Sequence, residues 1–308
     1  MKLSASALIF VLVTGLGWGL LGPASKALFG ISPHLDGVSL AVARAAWVLP
    51  IFLIGLGVGW RLDPPRLDAR HWWAVLGAAA LFGPAISLLF TIAAQHTSVA
   101  HISFLIGISP VTNTALAAFV FREPLDRRAW IALGLGITGV ALLALARDGG
   151  GSALLGDGIM VVWLAAFGGY ACFVRFLGGR MSSALLMCLI MSIAMLLLLI
   201  PTLPLGFGYG IAHVADTPAA AGWFFGEIVL GSTLIAQLTY ASAVRRAGVS
   251  VATIGAEYTA LAVGVAMSIF AAHERWVPLT VVAGLVFCAA LTVTFAPLPG
   301  LRTQTTEA

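Results

Sequence analysis

The sequence predicts an all-α integral membrane protein, with ten transmembrane helices arranged as two inverted five-helix repeats around a central cavity. Three observations lead there: an extreme apolar composition, the placement of charge in gaps between apolar runs, and an internal echo at an offset of about 150 residues.

The chain has 308 residues, of which 60% are hydrophobic and 9% charged. Globular domains average roughly 25% charged. A soluble fold of this size has no interior large enough for so much apolar surface, so the solvent is a bilayer. Lipid offers no hydrogen bonds to backbone, which restricts the spans to helices or closed barrels. Barrel strands alternate polar and apolar residues. The runs here are continuously apolar, so helices are expected.

The spans follow in order. The first, 3–22, belongs to an uncharged run from Leu3 to Ser25. It opens like a signal peptide but reaches Leu21 without a small-residue cleavage site, so it is expected to be retained. The second, 37–59, carries one charge, Arg44. The third and fourth, 72–94 and 98–121, share the uncharged stretch His71–Phe121, and Gln95-His96-Thr97 supplies the turn between them. Each half of that stretch has the roughly 20 residues a crossing needs. The fifth, 129–146, follows the charged segment 122–128 and holds Gly134, Gly136 and Gly139. The sixth and seventh, 157–177 and 182–203, flank Arg180. After the loop Pro204–Ala220 come the eighth, 221–244, the ninth, 249–271, and the tenth, 277–297, with Arg245-Arg246 between the first two of these.

With the amino terminus in the cytoplasm, 12 of the 16 Lys and Arg residues fall inside and 3 outside (Lys26, Arg147 and Arg275), while Arg44 lies within a span. This asymmetry follows the positive-inside rule and favours ten crossings, with both termini cytoplasmic. The scattered Arg residues form no nucleic-acid-binding stripe. Cys172, Cys188 and Cys288 fall in apolar runs and lack metal-ligand spacing, so no metal and no cofactor is expected.

The segment 96–103 echoes 246–253, and Phe121-Arg122-Glu123-Pro124-Leu125 echoes Ala272-His273-Glu274-Arg275-Trp276. Each half, 1–148 and 149–308, holds five spans. Five is odd, so the halves cross in opposite senses, a construction found in secondary transporters. Thr97-Ser98-Val99-Ala100, Ile108-Ser109-Pro110-Val111 and Glu123-Pro124-Leu125, followed by the Gly-containing fifth span, resemble the drug/metabolite transporter superfamily, in particular its EamA-type branch. Arg122 and His273 stand where that family has Gly before the Glu. The resemblance implies a ten-helix exporter of a small metabolite, such as an amino acid or an amphipathic drug-like solute, in a bacterial inner membrane.

Ionisable groups at membrane depth are costly and mark pathways or partners. Glu257 is the deepest and stacks with Thr253. It is expected either to bind a cationic group or a proton, or to serve as a structural carboxyl paired with Arg44. Arg44 could hold an anionic group, neutralise Glu257 or snorkel. Glu227 lies nearer a span end. His101 is a second proton-coupling candidate beside Glu257, since imidazole charge changes near neutrality; an interfacial hydrogen-bonding role is the alternative. Protons are therefore a candidate partner beside the lipid and the solute. Span four presents Ser103 and Asn113 on polar faces. Pro84 and Pro110 free carbonyls at membrane depth and are hinge candidates. Gly15 and Gly19 form a G-x-x-x-G that suits close helix packing. Trp18, Trp163, Tyr170, Tyr240 and Tyr258 lie within spans and could stack on a solute or simply pack. Trp60, Trp72, Trp73, Trp130 and Trp276 read as an interface belt. No phosphate loop, H-E-x-x-H or G-x-S-x-G is present, which argues against an ATPase and against an enzyme. A membrane-embedded enzyme or a passive channel is the alternative to a carrier.

Overall fold

Every regular element among the described residues is a helix. The structure is a computed structural model describing residues 5–62, 64–65, 67–122, 127–146, 151–177, 180–247, 249–272, 274 and 277–295. The echo residues Glu123, Pro124, Leu125, Gly248, His273, Arg275 and Trp276 lie outside the described residues, as do the loop charges Lys2, Arg66, Arg147 and Arg302.

In chain order the helices are α1 (Ala5–Ile31), α2 (Gly37–Leu62), α3 (Ala69–His96), α4 (Val99–Phe121), α5 (Arg127–Leu145), α6 (Gly151–Leu177), α7 (Ser183–Phe207), α8 (218–247), α9 (Val249–Phe270) and α10 (Pro278–Phe295). Seven of them, α1 to α4 and α6 to α8, contain stretches long and apolar enough to cross a membrane. The apolar stretches of α5, α9 and α10 are shorter: Trp130–Leu143, Gly255–Phe270 and Pro278–Ala290. Large apolar side chains cover the outside of the bundle, among them Ile54, Phe119 and Phe270. Phe119 is 83% exposed, which only a lipid environment satisfies. The chain is an integral membrane protein.

Three local features depart from the expected pattern. α1 continues to Ile31 through Gly22-Pro23, where a stop was expected. In lipid a proline does not end a helix, because neighbouring groups take up the freed carbonyls. Both residues are buried, and the Ser25 hydroxyl bonds the Leu21 carbonyl at 2.8 Å. Second, α3 widens into a π-helix over Leu81–Ser87, around Pro84. The wider turn accommodates a residue with no N–H to donate. α8 does the same over Gly222–Ile235 with no proline, and there Thr233 bonds the Ile228 carbonyl five residues back. Third, the loop 204–220 is partly helical, at Tyr209–His213 and Pro218–Ala221, with Gly206 turning at φ 87°.

Packing follows small residues. A Cβ on Gly15 would sit 2.6 Å from the Ala256 carbonyl oxygen, and one on Gly19 would sit 2.7 Å from that of Ala260. The G-x-x-x-G of α1 thus lets its backbone touch α9. α1 also lies along α8, while α6 lies along α3 and α4. α2 pairs with α7, α4 with α9, and α5 with α10. Where α3, α4 and α6 meet α1, α2, α8 and α9, a void remains.

Candidate functional site

The void measures about 550 Å³ including its opening. Trp18 and Leu21 come from α1, Arg44 from α2, and Phe82, Ile86, Ser87 and Phe90 from α3. Ile106 of α4, Trp163 and Phe167 of α6, Ser232 and Gln237 of α8 and Glu257 of α9 complete the wall. Two π-helical stretches contribute, Phe82, Ile86 and Ser87 from that of α3 and Ser232 from that of α8, while a third, Leu203–Phe207 at the end of α7, does not. A π-turn shifts the register of the side chains that follow it, which re-aims them relative to a straight helix.

Four of the anticipated residues meet here: Trp18, Arg44, Trp163 and Glu257. Their surroundings fix their orientation. The Trp163 ring lies 5.0 Å from Phe167 at 7°, face to face, and 6.1 Å from Phe90. Trp18 is backed by Tyr240 at 5.1 Å. Arg44 donates from Nε to the Thr233 hydroxyl at 2.8 Å, and the carboxylate acting on its charge is that of Glu227. The expected pairing of Arg44 with Glu257 is not made. Glu257 is 1% exposed, with Ser109 beside it. Three buried polar atoms of the wall have no hydrogen-bond partner among the described residues: Ser87 Oγ, Trp163 Nε1 and Glu257 Oε2. Buried polar groups are paired as a rule, so three such atoms around one void make it the candidate site for a polar ligand.

The other anticipated residues lie around or away from the void. Tyr240 stands behind Trp18, its hydroxyl 2.7 Å from that of Thr253. Tyr170 lies behind Phe82 and Phe167, at 5.3 and 6.1 Å, with its hydroxyl 3.5 Å from Met187 Sδ. Ser103 bonds its own helix at Val99 and lies against Gly264 of α9. Asn113 sits beside Gly168 on the α4–α6 contact, its Oδ1 without a partner. Tyr258 is half-buried and interacts with Thr292 of α10. Pro84 lies in the first π-turn. Pro110 lies where α4 changes direction at Ile108.

His101 is buried near the start of α4, and its Nδ1 is 2.9 Å from Asp157 Oδ2 on α6. The other oxygen of Asp157 accepts from the Thr97 hydroxyl. Beside this pair, the Glu274 carboxylate accepts from the Val99 and Ala100 amides, at 2.6 and 3.0 Å. A carboxylate there compensates both the unpaired N–H groups and the dipole of a helix start. Lys26 Nζ reaches the Gln95 carbonyl at 3.4 Å, and Gln95 Oε1 accepts from the Gly37 amide at 3.0 Å. Two carboxylates from the second half of the chain thus hold the 97–101 segment of the first, sealing one end of the bundle.

Sequence reasoning missed Asp157, Glu274, Gln237 and Ser232 as partners or wall residues. Gln237 and Ser232 carried a signal, as polar side chains deep in an apolar run. Asp157 opens the sixth predicted span and Glu274 lies in the gap after the ninth, places where a charge looks merely solvated.

The sequence model of the EamA-like transporter family matches residues 5–145, and that family belongs to the drug/metabolite transporter superfamily. Over those residues the chain is similar to membrane transporters of small solutes. No curated protein matches the chain in sequence. One solved crystal structure superimposes with a TM-score of 0.60 and covers 97% of this chain and 99% of its own. At 17% identity, that likeness is one of fold alone.

Proposed function

From the membership of residues 5–145 in the EamA-like transporter family, we propose that the whole chain is a secondary transporter. It exports a small organic metabolite, such as an amino acid or an amphipathic drug-like solute, by alternating access. In this reading ten crossings form two inverted five-helix repeats, 1–148 and 149–308, in a bacterial inner membrane with both termini cytoplasmic.

The observation that carries the reading is the void with three unpartnered polar atoms, built by α1 to α4 of the first half and α6, α8 and α9 of the second. Transporters built from repeats bind substrate where the repeats meet. The packing supports a two-fold relation. α1 lies on α8 and α9 as α6 lies on α3 and α4, and the third helix of each half, α3 and α8, carries a π-turn, as does the end of α7. With the amino terminus inside, the seam of Asp157 and Glu274 lies at the outer end. The state described is then closed to the outside, and the seam must part for the solute to leave. Export itself is taken from the family resemblance.

The test is a comparison of the metabolites released by cells with and without the protein, followed by flux of the enriched compound in proteoliposomes. Trp18→Ala and Trp163→Ala should each cut flux at least tenfold at an unchanged amount in the membrane. Unchanged flux in both variants would exclude the void as the pathway. Flux measured with and without a pH gradient decides whether His101 or Glu257 couples transport to protons; equal flux means that neither does.

A further inference from the structure

The chemistry around Glu257 narrows the class of solute, given that the void is the solute's site. Glu257 makes no ion pair among the described residues, and Ser109 is the side chain that approaches its carboxyl. Its Oε2 is buried and unpartnered at the wall of the void. The cation that shares the wall, Arg44, is engaged through Nε by Thr233, and the carboxyl that acts on its charge is that of Glu227 on α8. A buried carboxylate without a counter-charge is a poor structural element, since its desolvation is repaid by nothing. A ligand that brings a positive charge would offset that desolvation.

The rest of the wall is suited to that ligand. Trp18, Phe82, Phe90 and Trp163 surround the void, and all but Trp18 are largely buried. Aromatic faces carry negative potential and attract ammonium groups, most strongly when water is excluded. Stacking on Phe167 and backing by Tyr240 fix the two indoles before any ligand arrives. Leu21, Ile86 and Ile106 offer apolar surface to the body of such a ligand.

We propose that the solute is an organic cation: an ammonium group on an apolar or aromatic body, with the nitrogen held by Glu257 among the aromatic rings. Trp163 Nε1 and Ser87 Oγ remain to serve a hydrogen-bonding substituent. An anion in the same place would face Glu257.

Isothermal titration of the detergent-purified protein with 2-phenylethylammonium, 2-phenylethanol and 3-phenylpropionate tests this. These probes share a body and differ in charge. The ammonium should bind at least tenfold more tightly than the other two. Glu257→Gln should abolish the difference, and Glu257→Asp should restore part of it. Equal or tighter binding of the alcohol or the carboxylate overturns the proposal, as does no saturable binding of the ammonium at millimolar concentration. The wild-type comparison alone suffices if Glu257→Gln fails to fold. Liposome flux of the same probes separates the two readings. Binding of the ammonium without flux leaves the cation site and removes the carrier. Flux of the neutral or anionic probe without ammonium binding leaves the carrier and removes the cation site.

Discussion

At the scale of single residues, the buried charges are divided into two groups with different partners. Asp157 and His101 satisfy each other, with Thr97 taking the second carboxylate oxygen. Glu257 has a neighbouring hydroxyl and an empty space. Removing one member of a buried pair strands the other, whereas removing both does not. Asp157→Ala should therefore lower the thermal unfolding temperature in detergent more than the double change with His101→Ala requires. The coupling energy of that cycle should be about 0.5–3 kcal/mol; strict additivity would show that the contact contributes nothing. Glu257→Gln should not be destabilising by the same logic, because no cation is left behind. The identities of these residues could be read from the sequence as rare charges in apolar runs. Their partners could not. Arg44 and Glu257 are the obvious pair on the page, yet Thr233 and Glu227 lie on the helix that actually faces Arg44.

At the scale of elements, helix contacts are set by where backbone can approach backbone. A Cβ on Gly15 would lie 2.3 Å from Thr259 Cβ, closer than any real contact, and Gly83 is as tight against Ala194 of α7. Gly15→Ala and Gly19→Ala should each cost about 1–3 kcal/mol by overpacking. Thermal unfolding followed by size-exclusion monodispersity checks this; wild-type behaviour in both would mean that α1 sits farther from α9. The α3 π-turn leads to a different expectation. Pro84→Ala returns an N–H to the helix and removes the reason for the wide turn. Stability should rise and flux should fall, because Ser87 and Phe82 lose their register toward the void. Undiminished flux would remove Pro84 as a hinge. The apolar runs located these helices to within a few residues, except where Pro23 failed to end α1. The π-turns left no mark of their own in the pattern. Those of α3 and α7 contain a proline and that of α8 does not, so tertiary packing decides where the ladder widens.

At the scale of the whole molecule, the seam of Asp157 and Glu274 ties the two halves of the chain at one end, and the void lies beyond it. A molecule that opens by rocking one half against the other must break these contacts first. In a background without Cys172, Cys188 and Cys288, Glu274→Gln should raise labelling of a Ser87→Cys reporter by an impermeant thiol reagent added outside. Labelling that does not change would locate the gate elsewhere. The sequence by itself determined the solvent, the helical class and the approximate run of every helix, because each follows from local apolarity and from the obligation to satisfy backbone hydrogen bonds in lipid. It also marked Trp18, Arg44, Trp163 and Glu257 as residues out of keeping with their surroundings. Only the tertiary structure decided that these four share one void, that Tyr258 and Ser103 turn away from it, and that Glu274 reaches back to the start of α4. The physical reason is that hydrophobicity fixes which residues leave water, while the rotation of each helix about its axis is fixed by small-residue contacts and polar pairing between segments far apart in the chain.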